Sequence, residues 1–234
     1  MGQLPLALAL AHHARFETFV AGANSAAVRH VRALAAGSSA TVWLWGAAGS
    51  GKTHLLQAAC HAAAVAGKRA MYVPLGGEQP LEPAVLTGLG SVELLALDDI
   101  DRVAGEPLWE QPLFMVLDEF LGRDGGLLLT AHAAAGATAF RLADLASRAA
   151  GAVSYRLQPL DDGDRMRALL AHAAARGLDL DRPAAEYLLQ RVDRDMVALR
   201  RWLDKLDRAS LVEQRKLTIP FIRGLLASRP ASGE

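Results

Sequence analysis

Gly46-Ala47-Ala48-Gly49-Ser50-Gly51-Lys52-Thr53 carries the spacing G-x-x-x-x-G-K-[ST] in full. It follows an apolar run at 41–45 and opens a segment of helical pattern near 52–66. The chemistry of that spacing is phosphate binding. Gly46, Gly49 and Gly51 let the backbone turn its N–H groups inward around phosphate oxygens, with Ser50 inside the turn. The helix that follows offers the positive end of its dipole. In such a loop Lys52 reaches the β- and γ-phosphates and Thr53 ligates Mg²⁺. His54 comes next and counts with the nucleotide-binding residues by position. Its imidazole shares a helix face with His61, and no carboxylate or Cys completes a ligand set, so both rings read as structural. The ligands expected are ADP or ATP with Mg²⁺.

Leu94-Leu95-Ala96-Leu97-Asp98-Asp99 is an apolar strand that ends in two acids. An acid after a strand is often a turn or a cap. Beside a phosphate loop it acquires a role: Asp98 holds Mg²⁺ through water, and Asp99 polarises an attacking water. Thr130 ends Leu127-Leu128-Leu129-Thr130. Its hydroxyl suits a γ-phosphate approached from an adjacent strand; it equally suits ordinary strand propensity. Arg148, in Asp144-Leu145-Ala146-Ser147-Arg148, has two readings. One is a helix-surface pair with Asp144 worth about 0.2–0.5 kcal/mol. The other is an arginine finger acting in trans on a neighbouring subunit's nucleotide, and periodicity does not choose between them. Arg194 is either a solvated Arg near a helix start or a phosphate sensor.

These residues need elements to hold them. Five short apolar runs, at 41–45, 70–75, 94–97, 127–131 and 153–157, alternate with helical patterns near 52–66, 107–121 and 139–149. Mostly continuous apolar runs mark strands buried on both faces of a parallel sheet, and the alternation predicts an α/β sandwich with right-handed crossovers. After Pro159 the pattern becomes all-helical, with segments at 161–176, 182–191 and 194–210 and with Met196, Leu199, Leu203 and Leu206 on one face. Leu160-Asp161 reads as a hinge with an N-cap. The expected domains are an exposed tail at 1–15, a nucleotide-binding α/β domain at 16–158 and a helical lid at 159–234.

Composition limits the function classes. At 52% hydrophobic and zero net charge over 234 residues, the chain has core enough to fold, and no bulk field draws it to DNA or anionic lipid. Direct sequence-specific DNA binding is not expected. The single Cys60 excludes an internal disulfide and a Cys-based zinc site, which fits a reducing cytoplasm. No apolar run is long enough to span a bilayer. The first eleven residues, MGQLPLALALA, lack the basic start of a signal peptide, and Leu6 stands where myristoylation needs Ser or Thr.

In order, a phosphate loop, an acidic strand, a polar sensor strand, Ser147-Arg148 and a helical segment with Arg194 resemble an AAA+ ATPase module. Phe16-Glu17-Thr18-Phe19-Val20-Ala21-Gly22-Ala23-Asn24-Ser25 is similar to the linker that precedes this module in the DnaA-related family, and Asp207-Arg208-Ala209-Ser210 and 215–221 extend the resemblance to nearly the whole chain. The chain runs only to Glu234, so neither a C-terminal helix-turn-helix domain nor the initiator's N-terminal domain is expected. The regulatory-inactivator branch of the family is therefore the one it resembles. That resemblance implies a protein that promotes ATP hydrolysis by the replication initiator DnaA, with Arg148 as the finger and Arg194 reading its own nucleotide. It also gives the tail a meaning. Gln3-Leu4-Pro5-Leu6-Ala7-Leu8 is similar to peptides that dock on the DNA polymerase III sliding clamp, with Leu4, Leu6 and Leu8 as apolar residues and Gln3 as a hydrogen-bonding group. A possible homo-oligomer also follows, since a finger acts only across an interface.

Two departures stand beside this. Lys52, Thr53, Asp98 and Asp99 form a complete hydrolytic set, as an ATP-hydrolysing helicase loader would need. His132 occupies a position where related chains often carry an acid. A small-molecule kinase, the remaining reading, leaves Arg148 and the tail unexplained.

Overall fold

The computed structural model describes residues 14–77, 80–193, 195–213 and 217–227. Arg194 and the tail residues Gln3, Leu4, Leu6 and Leu8 lie outside the described residues. The chain divides into two units, Met1–Pro159 and Leu160–Glu234.

In the first unit, strands β1 (Ala40–Trp45), β2 (Ala70–Pro74), β3 (Leu94–Asp98), β4 (Gly126–Ala131) and β5 (Val153–Arg156) form one sheet in the order β2-β3-β4-β1-β5. Every pairing is parallel. Such a sheet buries both faces, and side-chain alternation assigns each strand residue to one of two cores. Val42 and Leu44 of β1, Leu94 and Ala96 of β3 and Leu128 of β4 pack under α1 (Ser25–Ala36) and α2 (Lys52–Val65). Trp43, Leu95, Leu97, Leu127 and Leu129 point the other way, under α3 (Pro107–Leu121) and α4 (Ala143–Ala150). Trp43 is wholly buried, and its indole N–H donates to the Ala133 carbonyl at 3.0 Å, so the one polar atom of a large core side chain is satisfied.

The expected fold class is therefore present, with two helices that periodicity had not marked. One is α1, whose buried face of Ala27, Val28, Val31, Leu34 and Ala35 is thin and alanine-rich. The other is α8 (Ile219–Ala227), where Pro220 and Gly224 obscure the pattern although Pro is compatible with a first helical turn. The helix expected at 139–149 starts later, at Ala143. The reason is remote: the buried Glu110 carboxylate of α3 accepts from the backbone N–H of Arg141 (2.9 Å) and Leu142 (2.6 Å) and so fixes where the helix begins.

The second unit is helical: α5 (Asp162–Ala174), α6 (Arg182–Leu189), α7 (Met196–Glu213) and α8. Asp161 caps α5, its Oδ1 accepting from Asp164 N at 2.7 Å, and Asp181 caps α6 in the same way at 2.8 Å. Leu199, Leu203 and Leu206 of α7 are fully buried with Leu169, Leu188 and Ile222, and Met196 packs partly against them. Among the described residues no helix is long and apolar enough to cross a membrane.

Cys60 lies buried on α2, where desolvation pushes its thiol up to about 12. The thiolate is the reactive form, so native protein should not react with a disulfide reagent at neutral pH, whereas denatured protein should release one equivalent. A rapid native reaction would show that α2 opens locally.

Candidate functional site

Residues 46–51 connect β1 to α2 at the carboxyl edge of the sheet. Gly46 has φ 149° and Gly51 φ 96°, and a Cβ at either would collide: with the Leu157 carbonyl oxygen at 2.7 Å, or with the Phe19 ring at 2.8 Å. Both positions thus need glycine for conformation and for close approach. With Gly51 as N-cap and no side-chain cap, the first N–H groups of α2, on Lys52, Thr53 and His54, point out of its N-terminus into the loop. Lys52 folds back over the loop, its ammonium donating to the carbonyls of Gly46 (2.8 Å) and Ala47 (3.1 Å). Burial pulls the Lys52 pKa below the ordinary lysine value, against the opposing charges of Asp99, Asp98 and Asp101. Ser50 Oγ is buried with no hydrogen-bond partner among the described residues. A desolvated ammonium, an orphaned hydroxyl and a ring of backbone donors make a cradle for an anion.

The sheet register places the acidic strand beside it. Leu97 pairs with Leu129, and Leu44 with Thr130, so Asp98 and Thr130 stand at the ends of neighbouring strands, next to β1. Thr130 Oγ1 donates to Asp98 Oδ1 at 2.5 Å and accepts from Asp99 N at 2.8 Å. Tyr72 on β2 donates to Asp98 Oδ2 at 2.8 Å. Both oxygens of the buried Asp98 are therefore oriented from either side, and the Tyr72 phenol is driven upward in pKa by burial and by this carboxylate. In this structure Thr130 spends its hydroxyl on organising the two acids. Asp98 and the Thr53 hydroxyl are hard oxygen donors, the kind Mg²⁺ prefers, so the residues present fit that ion.

Among the described residues Asp99 is the one non-glycine residue with positive φ, 56°. An Asp held there costs about 1–3 kcal/mol and persists only where its surroundings over-determine it. The turn Ile100–Arg102 begins at this residue, and its side chain lies close against Gly76, where an added Cβ would sit 3.0 Å from Asp99 Oδ2. Its carboxyl pKa is raised, first by burial and then by Asp98, with His132 and Lys52 pulling the other way.

The His54 ring faces away from the cradle's chemistry. Its Nε2 lies 2.8 Å from the Arg15 carbonyl and 3.4 Å from Thr18 Oγ1, and the ring meets Phe19 edge-on with centroids 5.2 Å apart. It fastens the segment 15–19 against the loop, the structural role read for it; only its backbone N–H belongs to the cradle. Asn24 performs a similar task by accepting from Gln158 N (2.7 Å) and donating to Gln158 O (2.9 Å).

Arg148 stands in the last turn of α4. It does not pair with Asp144, the partner four residues earlier that helix spacing offered. Its Nη2 meets Asp118 Oδ1 of α3 at 2.7 Å, and both side chains are about half exposed, at 45% and 52%. Residues that the sequence did not single out, Tyr72, Glu110 and Asp118, thus hold three that it did. None carries a local signal, because each acts across strands or helices far apart in the chain.

The profile of the bacterial DnaA ATPase domain matches residues 10–148, more than half of the chain. The chain belongs to the DnaA-related AAA+ family. A second profile, the lid domain of Hda, matches residues 162–226. Among solved structures, domain III of DnaA from Thermotoga maritima shares this family's fold with a TM-score of 0.78 at 20% identity, covering 94% of this chain and 98% of that one. AMPPCP-bound DnaA from Aquifex aeolicus gives a TM-score of 0.68 at 20% identity over 84% of this chain and 65% of that one. The Thermotoga maritima branch-migration motor RuvB gives 0.61 at 17% identity over 87% and 66%.

Proposed function

We propose that this chain is a regulatory AAA+ protein that binds ADP or ATP with Mg²⁺ and, together with the DNA-loaded sliding clamp, stimulates ATP hydrolysis by DnaA, so repressing re-initiation of replication. The observation that carries the reading is the joining, in one chain, of a DnaA-type nucleotide module and a lid of the Hda type. The cradle at 46–54 holds the phosphates, Thr53 and Asp98 hold Mg²⁺, and Asp99 and Thr130 organise water at the chain's own site. Arg148 is offered in trans to the nucleotide of DnaA, where it stabilises charge on the transferred phosphoryl group. Gln3, Leu4, Leu6 and Leu8 attach the protein to the clamp, and Arg194 reads the bound nucleotide from the lid.

A second reading has its own support. The well-organised Asp98 and the strained Asp99 favour hydrolysis of the chain's own ATP, as in a helicase loader. One experiment separates the two. ATP pre-bound to DnaA is followed with DNA-loaded clamp, with and without this protein and its Leu6→Ala/Leu8→Ala form. Stimulation by the native chain that is lost, together with clamp pull-down, in the double variant supports the regulator. No stimulation, combined with turnover of free ATP, overturns it in favour of the motor.

A further inference from the structure

The ends of β3 and β4 carry a second group of side chains that phosphate binding does not use. Asp101 lies in the turn after β3 and His132 just past β4. The His132 ring Nδ1 is 2.8 Å from Asp101 Oδ2, and the His132 backbone N–H donates to the same oxygen at 3.4 Å. One ligand atom from each of Asp99, Asp101 and His132 lies within 4.8 Å of the other two. The other oxygen, Asp101 Oδ1, is shut off from solvent and has no hydrogen-bond partner among the described residues. A carboxylate oxygen buried without a donor is costly, and a cation supplies what the surrounding protein does not.

We propose that Asp99, Asp101 and His132 form a binding site for a divalent transition-metal ion of borderline softness, with Zn²⁺ as the type, separate from the Mg²⁺ position at Thr53 and Asp98. An imidazole ligand is what separates the two. Mg²⁺ keeps oxygen ligands and its own waters, whereas imidazole with carboxylate suits Zn²⁺, Ni²⁺ or Co²⁺. Three protein ligands leave a fourth position for water. Ligand atoms about 2.0–2.2 Å from a tetrahedral ion stand roughly 3.4 Å apart, so the group must draw in by about an ångström. The His132 side chain is 42% exposed and free to make that adjustment. The ion would also separate two neighbouring carboxylates that now face one another with Lys52 and His132 as their nearby cationic partners.

The test is titration of the nucleotide-free full chain with Zn²⁺ in buffer containing Mg²⁺, and with Co²⁺ read by its visible absorption. One ion per chain is expected, with the intense bands of four-coordinate Co²⁺. His132→Ala and Asp101→Asn should each weaken binding by about 10–100-fold or more, while Thr53→Ala should retain it. Matching circular dichroism spectra would establish that the variants remain folded. Absence of binding overturns the proposal, and so does an affinity unchanged in both variants, which would place the ion on other histidines. Binding that excess Mg²⁺ removes and Thr53→Ala abolishes would also overturn it, since the ion would then occupy the Mg²⁺ position.

Discussion

Arg148→Ala should lower clamp-dependent hydrolysis of DnaA-bound ATP by about 10³- to 10⁵-fold while leaving the chain folded and its own nucleotide affinity unchanged. The size of the effect follows from the chemistry, since a guanidinium brought to the γ-phosphate neutralises charge that no other group at the interface is placed to meet. The small structural cost follows from the geometry. The Arg148–Asp118 pair is half exposed on both sides, and such pairs contribute about 0–1 kcal/mol. A contact that weak is a resting place from which the guanidinium can leave. If Arg148 served only to tie α4 to α3, Asp118→Ala would reproduce the loss. The expectation is the reverse, with Asp118→Ala retaining or raising stimulation at limiting concentrations of the protein. Single-turnover assays on both variants, with thermal melts alongside, decide the matter.

The second large effect is on stability. Glu110 is 3% exposed, and its carboxylate accepts from the backbone N–H groups of Gly105 (2.7 Å), Arg141 (2.9 Å) and Leu142 (2.6 Å). Burial alone would raise its pKa. The three backbone donors outweigh burial and hold it below the usual glutamate value. Glu110→Gln replaces one acceptor oxygen by a donor facing donors, and should destabilise the protein by about 2–4 kcal/mol at neutral pH. Because the folded pKa is depressed, the carboxylate's contribution is present above the unfolded value of about 4.3. It is lost as pH falls from there through the folded pKa. Urea midpoints of wild type and variant should therefore differ most near pH 7 and converge below about pH 4. A gap independent of pH would assign the effect to packing. The same variant should also weaken stimulation of DnaA, because the start of α4 sets the direction in which Arg148 leaves its last turn.

Much of the sheet and the phosphate loop could be read from the sequence because their signals are local. A strand buried on both faces is a run of apolar residues, and Gly46, Gly51 and Lys52 owe their identity to the turn they occupy. The supports of the site were not legible for the opposite reason. Tyr72 is an ordinary strand tyrosine until the register brings it beside Asp98. Glu110 is an acid near a helix start until residues 141–142 reach it from thirty positions downstream. Helix spacing gave Arg148 a partner in Asp144, and packing of α3 on α4 gave it Asp118 instead. His54 followed its side-chain chemistry: without ligand partners it is a fastening in a packed corner. His132, which no motif explained, lies against Asp101, and that contact became visible only when the ends of β3 and β4 came together.

The two hydrogen bonds between the Asn24 side chain and the Gln158 backbone close a circuit of chain that starts just before α1 and finishes just after β5. The α/β unit therefore begins and ends at one spot on its surface. A unit whose two ends meet is portable: flanking segments of any length can be spliced on either side without pulling the sheet apart. It also makes this unit a natural candidate for circular permutation, with a new break placed in an exposed loop and the old ends joined by a short linker beside Asn24.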